Sequence, residues 1–362
     1  MAPRARRTGG GVVSTMGDEH DALRSAVRDL LTKHSDSAAV RKAIAAEHGF
    51  DPAVWSLLCG QIGVAALAVP ENHDGVGAGM AEIALVQEEL GRRLTPSPML
   101  GSAVLGVRTL VHSDDDDACT RLLPAVAAGE RTLAVCWADE SGWDGYGVTA
   151  SDDVLDGTAH YVLGGDIADT LLVLTDGGLY EVDPAAAGVT RRRVATMDPT
   201  RSLSEVTLSG VRGRPLASPG DLAERVRTDA VVALAAEQVG AAAGILEQTV
   251  EYTKARKQFG RAIGSFQALK HRMADMYALV ETARSMAYAA AESGTAEDAA
   301  IAKVYCSEAF EHVAAEAVQL HGGIAITWEH DAQLYFKRAH GSAHLFGAPS
   351  TYLPALATAA GL

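Results

Sequence analysis

The hydrophobic periodicity changes twice along this chain, and those two changes constrain the fold more than any other feature. From about Asp18 to Ala127 apolar residues recur three to four apart: Leu23, Val27, Leu30 and Leu31, then Leu57, Ile62 and Leu67 around Trp55, then Val86, Leu90 and Leu94. Such spacing puts them on one stripe of a helix. Between about Glu130 and Val211 the pattern gives way to short β-type runs at 132–137, 159–163, 170–174, 178–182 and 204–208. Asp-Gly, Gly-Gly and Asp-Pro turn signals separate them, as expected of a small antiparallel sheet or barrel. After Pro215 helical spacing returns. Phe266, Leu269, Met273, Met276, Val280, Ala283 and Ala287 form one stripe, and Cys306, Phe310, Val313, Ala317 and Leu320 the next. The expected class is α+β: a helical domain over 17–127, a middle β domain over 128–216 and a helical bundle over 217–362.

At 362 residues the chain can bury the cores of two or three such units. A hydrophobic share of 48% with 21% charge fits a globular chain, not a disordered one. A formal net charge of −15 argues against nucleic acid as the main partner. Cys59, Cys119, Cys136 and Cys306 are far apart and make neither a metal-ligand spacing nor a disulfide framework, so reduced thiols in the cytoplasm are expected. No metal site is expected. No apolar run approaches the roughly 18–20 residues of a membrane span. Residues 1–16 lack the apolar stretch of a secretory signal and are expected to be a disordered extension.

Against that acidic background one island is basic. From Lys254 to Arg272 there are six Lys or Arg and no Asp or Glu. The island holds Arg256-Lys257-Gln258-Phe259-Gly260 and Phe266-Gln267, at a joint between two helical patterns, where an anion site is expected. Gly260 and Gly264 let the chain turn and approach a ligand closely. About fifty residues on, Gln319-x-His321-Gly322-Gly323 offers a polar side chain one turn before another pair of glycines. Taken singly, each is explained by a solvated helix end. A third glycine-rich joint, at 73–79, does not follow a strand into a phosphate-binding spacing and reads as a plain turn.

In their order and spacing these motifs resemble those of the flavin-dependent acyl-CoA dehydrogenases. The likeness extends from Glu19 over nearly the whole chain, through 55–71, Glu88-Glu89-Leu90-Gly91-Arg92 and Asp198-Pro199-Thr200-Arg201. It implies an N-terminal helical domain, a middle β domain and a C-terminal four-helix bundle. It also implies that FAD is the cofactor, an acyl-CoA thioester the substrate and an electron-transfer flavoprotein the acceptor. In the family the residues matching Arg256, Gln258, Phe259, Gln267, Gln319, Gly322 and Gly323 hold the adenine and pyrophosphate half of an FAD seated mainly on the neighbouring subunit. A fixed guanidinium and helix-end N–H groups suit a pyrophosphate.

The departures are as informative as the matches. Dehydrogenation α,β to a thioester needs a carboxylate to take the α proton. At the family's usual position for that Glu this chain has Phe346, and at the alternative position on the preceding long helix it has Ala230. Asp229 is the neighbour of Ala230, turned by about 100° around the helix. Glu237, Glu247, Glu251, Glu329 and His344 remain conceivable bases. In the β domain, Trp137-Ala-Asp-Glu-Ser-Gly-Trp143 and Tyr161-Val-Leu-Gly-Gly165 replace the segments that hold flavin and acyl-CoA in the family. What this chain would lend to a partner's FAD is present, and what it would need for its own flavin ring is lost. The resemblance thus implies the non-catalytic subunit of a heteromeric dehydrogenase, of the actinobacterial kind often acting on steroid or polycyclic CoA thioesters. The partner subunit would supply the Glu. Two alternatives stand beside it: a self-sufficient homomer with a relocated base, and a flavin-free scaffold on the same fold.

Overall fold

The computed structural model describes residues 12–361, with side chains from Gly17 onward. Helix α1 (Val12–His34) begins inside the stretch expected to be disordered. A helix nucleated further along extends at little extra free energy per residue, which explains the earlier start. Residues 1–11 of that expected extension lie outside the described residues.

Helices α2 (Ser37–Ile44), α3 (Pro52–Leu57), α4 (Met80–Arg92), α5 (Val107–Ser113) and α6 (Asp116–Ala127) complete the N-terminal unit. Asp36, Asp51 and Asp115 cap α2, α3 and α6 by accepting from backbone N–H groups. The joint at 73–79 is a turn, with Gly79 at the start of α4. Two segments, Leu58–Ile62 and Met99–Gly106, wind as π-helix, which periodicity does not reveal.

The middle unit is two four-stranded sheets. One is ordered β1 (Leu133–Cys136), β4 (Thr170–Thr175), β5 (Gly178–Val182), β8 (Arg214–Leu216); the other is β2 (Val148–Ser151), β3 (Val154–Leu163), β7 (Leu203–Arg212), β6 (Val189–Val194). Pairing is antiparallel except between β1 and β4, which are parallel. The expected wholly antiparallel sheet is corrected there: the chain between β1 and β4 makes the β2–β3 hairpin of the other sheet before returning, so it can enter β4 in the same direction. Ala134, Leu155, Leu171, Val173 and Val206 fill the space between the sheets.

Helices α7 (Leu222–Ala255), α8 (Gln267–Ser293), α9 (Ala296–His321) and α10 (Ala332–His344) form the bundle, with α11 (Pro349–Ala359) against α9. The predicted stripes on α8 and α9 face inward: Met276, Val280, Ala283 and Ala287, and all five positions from Cys306 to Leu320, are buried. Helix α7 differs. It is long and apolar enough to cross a membrane by length and composition, contrary to the expectation that no segment would be, yet its apolar window is wholly buried in the protein. It is apolar all round because α4, α5, α8, α9 and α10 surround it. Glycines bring α4 and α7 into backbone contact. A Cβ on Gly240 would lie 1.8 Å from the Glu88 carbonyl oxygen, and one on Gly91 would lie 2.1 Å from that of Glu237. Glu88 and Glu89, wholly buried beside this crossing, are met by Arg284 at 3.1 Å, Tyr288 at 2.7 Å and Arg28 at 2.6 Å.

Candidate functional site

Because α8 runs antiparallel to α7 and α9, the C-termini of α7 and α9 and the N-terminus of α8 meet at one end of the bundle. Both sequence motifs lie there. The first folds into a hairpin, β9 (Lys257–Gln258) with β10 (Arg261–Ala262), closed by Phe259 at φ 53° and Gly260 at φ 79°. A two-residue turn with both residues left-handed matches the twist of a hairpin, and a phenylalanine there is strained. Its ring is 90% exposed, tethered only by an edge contact to Phe266 at 6.1 Å. Arg261 stacks its guanidinium over Phe266 at 3.9 Å. Arg256, Lys257 and Gln258 are exposed. Lys254 pairs with Glu251 at 2.6 Å, whereas no ion pair holds Arg256 or Lys257 among the described residues. Gln267 opens α8 and is exposed; Phe266 before it has no side-chain acceptor, so the first N–H groups of α8 are uncapped.

The second motif is tied to the first by Tyr252, in the last turn of α7. Its hydroxyl donates to the His321 carbonyl at 3.2 Å and its ring stacks on the imidazole at 4.4 Å. Gln319 is exposed in the last turn of α9. Gly322 adopts φ 67°, ψ −147°, a conformation that is essentially glycine's alone. A Cβ on Gly322 or Gly323 would meet nothing within 4 Å, so both glycines border open space. All seven predicted cofactor residues therefore share one end of the bundle.

The two base positions lie elsewhere and are closed. Phe346 is fully buried, packed edge-on against Trp143 with ring centroids 4.8 Å apart; Trp143 in turn meets Trp137 at 5.8 Å. The backbone at Phe346 is left-handed, φ 62°, and its carbonyl accepts from the Tyr352 hydroxyl at 2.5 Å. Beneath this turn lies Lys303, wholly buried, whose Nζ donates to the carbonyls of Ser342, Ala343 and Leu345 at 2.9, 3.0 and 2.8 Å. Burial, with the nearby charge of Arg201, pushes this ammonium down to about 7. Ala230 is buried in α7.

Of the conceivable bases, all but His344 are paired or lie away from the Phe346 turn. Asp229 accepts from Arg108 at 2.6 Å and His112 at 2.7 Å; burial opposes its charge, but these partners prevail and hold its carboxyl below the usual range. Glu237 is likewise buried, and Arg201 at 2.5 Å and Arg338 at 3.7 Å outweigh burial and keep it ionised. Glu247 bonds Arg92, Glu251 pairs with Lys254, and Glu329 is exposed. His344 is exposed on the rim of a cleft of about 460 Å³ that also borders Trp143, Asp144, Tyr161 and Thr351. Sequence reasoning missed Trp143 against Phe346, the Lys303 clamp and the Arg201–Glu237–Arg338 cluster. The only available signal was that 137–143 and 346 both depart from the family pattern.

The family description "Acyl-CoA dehydrogenase, N-terminal domain" matches residues 17–130, and "Acyl-CoA dehydrogenase, C-terminal domain" matches 229–352. Acyl-CoA dehydrogenase IpdE2 of Mycobacterium tuberculosis is 44% identical over 340 residues, covering 94% of this chain and 96% of that protein. IpdE2 of Mycolicibacterium smegmatis is 41% identical over 338 residues, covering 93% and 97%. Among solved structures, a variant of the Tcur3481-Tcur3483 steroid ACAD superposes with a TM-score of 0.85 at 30% identity, over 94% of this chain and 97% of its own. The ChsE4-ChsE5 complex from Mycobacterium tuberculosis gives 0.86 at 27% identity, over 94% and 96%.

Proposed function

The chain belongs to the acyl-CoA dehydrogenase family, and we propose that within it the chain is the non-catalytic subunit of a heteromeric enzyme, lending the adenine and pyrophosphate half-site to an FAD whose ring sits on a partner subunit. Family members are FAD-binding flavoproteins. The observation that carries this reading is the contrast between the open half-site at the bundle end and the closed stack of Phe346 on Trp143 and Trp137. The residues present fit one half of the cofactor and not the other.

On this reading Arg256 and the uncapped N–H groups of α8 neutralise the pyrophosphate. Phe259, Gln258, Gln267 and Gln319 would hold the adenine end, the ring by apolar contact and the amides by hydrogen bonds. Gly322 and Gly323 leave room for the dinucleotide to approach the backbone. A bound flavin would supply the acceptor for the hydride leaving the β carbon of the acyl chain. Phe346 has no atom that can take the α proton, so the base belongs to the partner's chain. The match to a steroid ACAD favours a CoA thioester of a polycyclic, steroid-derived acid as substrate, and the family resemblance implies an electron-transfer flavoprotein as acceptor. The units taken are 17–127, 128–216 and 217–362. The four cysteines are buried and unpaired, which suits a cytoplasmic site of action.

The test is to purify the chain alone and together with a second acyl-CoA dehydrogenase-like chain that carries the Glu, then record flavin absorbance and its bleaching by acyl-CoA. Flavin and turnover are expected only in the pair. Stoichiometric FAD with turnover in the isolated chain would overturn the reading.

A further inference from the structure

Four of the nine large apolar side chains exposed among the described residues lie at the open end of the bundle: Phe259 on the hairpin, and Ile324, Ile326 and Trp328 on the loop that follows α9. Phe259 belongs to the half-site. The other three, at 43%, 77% and 65% exposure, take alternate positions of one short loop and have no part in it. A single exposed apolar side chain needs no explanation, but a cluster of them marks a surface that another molecule covers.

The loop is held where it leaves the bundle and where it returns. It leaves α9 at His321, whose Nδ1 donates to the Ala317 carbonyl at 2.8 Å and whose ring meets Tyr252 and His330, each at 4.4 Å. It returns at His330, whose Nδ1 accepts from the Ala332 N–H at 3.1 Å. Within it, the Thr327 N–H and hydroxyl both donate to the Ile324 carbonyl, at 3.1 and 2.8 Å, and Ala325 is wholly buried. Lys337 of α10 supports the Trp328 ring, with Nζ 4.6 Å from its centre. The three apolar side chains therefore stand outward in one fixed arrangement, and a surface ordered in advance loses little freedom on docking.

Charge narrows what covers it. Lys257 and Arg261 share this end of the bundle with Lys337, and no ion pair holds any of the three among the described residues. Glu329 is the carboxylate the loop itself carries. Two copies of this chain about a twofold axis would set those cations against one another, and would bring two closed Phe346 stacks together with no seat for a flavin ring. We infer that the loop at 322–330 is the docking surface for a different chain, a Glu-carrying subunit of the same family, whose apolar hollow receives Ile324, Ile326 and Trp328 and whose acidic rim meets Lys257, Arg261 and Lys337. This rests on the subunit reading above and adds to it a contact that holds the pair together without FAD.

Calorimetric titration of the full chain, stripped of flavin, with a flavin-stripped Glu-carrying chain of the same family tests it. The two chains are expected to associate. Trp328→Ala should weaken association about 30-fold or more, as expected of a central aromatic anchor, and Ile326→Ala about tenfold. Lys337→Glu should weaken it several-fold, and Val76→Ala, an exposed apolar position in the N-terminal unit, should leave it unchanged. All four variants should keep the far-ultraviolet circular dichroism of the parent. Undiminished association in both Trp328→Ala and Ile326→Ala would overturn this surface and leave the subunit reading standing. So would chains that associate only when FAD is added. Flavin and turnover in the isolated chain would overturn both. A dimer of the isolated chain that Trp328→Ala dissolves would give the surface to a second copy and overturn the proposal.

Discussion

The end of the bundle and the Trp137–Trp143–Phe346 stack are built in opposite ways. At the bundle end a strained phenylalanine is held 90% exposed, cations stand without counter-ions, and glycines border empty space. In the stack, three aromatic rings interlock with almost no exposure, and a buried lysine fixes the turn that carries one of them. The first region leaves its polar groups and glycines open to solvent; the second has filled itself. On the proposed reading, that difference separates the half of a shared site the chain would keep from the half it would lack.

The largest effect should fall on the closed region. Phe346→Ala removes a fully buried ring from a stack that has no other way to fill the space, and should destabilise the chain by about 3–5 kcal/mol in denaturant unfolding. Phe346→Glu should not restore chemistry: it buries a carboxylate edge-on to the Trp143 ring in a fully closed site, and should destabilise at least as much. If Phe346→Glu proved stable and gave flavin and turnover to the isolated chain, the contrast between the regions would collapse.

Next comes the open region, read through cofactor and not stability. Arg256→Ala in the two-chain complex should weaken FAD retention about 10- to 100-fold, the equivalent of losing a charge-assisted hydrogen bond worth about 1.5–3 kcal/mol. Gln319→Ala should weaken it less. Flavin absorbance per complex after gel filtration measures both. An unchanged FAD content in both variants would mean that the basic end is only a solvated surface.

Much of this contrast was legible in the sequence, for physical reasons. The stripes on α8 and α9 could be read because those helices bury one face each. Helix α7 hid itself, since a helix apolar on every side has no periodic signal, and only the tertiary structure shows that its neighbours account for it. The short strands β2, β6 and β8 went unread: β6 carries Arg191, Arg192 and Arg193, whose guanidiniums find long-range partners in the carbonyls of Gly165 and Ala168, Glu205 and Asp166. The motif residues of the open end are close in sequence and were found together. The closed end joins residues about two hundred positions apart. No spacing rule could have put Trp143 on Phe346, although both departures from the family pattern were visible.

A pH-dependent effect separates the clamp under the stack from the stack itself. Lys303 has its ammonium pushed down to about 7 from an ordinary value of 10.5, mainly by burial. The folded state therefore holds fewer protons than the unfolded state between those values, so stability should rise with pH from about 7 to 10.5, with a slope of at most about 1.4 kcal/mol per pH unit. Below pH 7 the full penalty of the buried charge is present. Glu237 has the opposite sign: its carboxyl, held low by Arg201 and Arg338, contributes stability above about pH 4.5 that is lost as pH falls through its folded value. Denaturant midpoints measured from pH 6 to 10 should show the alkaline rise, and Lys303→Met should flatten it. A wild-type profile without that rise would mean the clamp holds its charge as readily as water does.

The smallest change in stability should be the sharpest test of the comparison. Phe259 holds φ 53°, a left-handed conformation that disfavours a side chain by about 1–2 kcal/mol, and its ring packs against little in the isolated chain. Phe259→Gly relieves that strain but adds freedom to the unfolded chain, worth roughly 0.5–1 kcal/mol the other way. The isolated chain should therefore change by no more than about 1 kcal/mol, and toward greater stability. In the complex the same variant should retain FAD several-fold less well, because the ring it removes makes its contacts there. A residue kept for folding would show the reverse, losing stability in the isolated chain and leaving the flavin in place. The same backbone strain at Phe346 is offset by burial of its ring, whereas at Phe259 the exposed ring gains nothing in the isolated chain and, on the proposed reading, makes its contacts only with the bound cofactor.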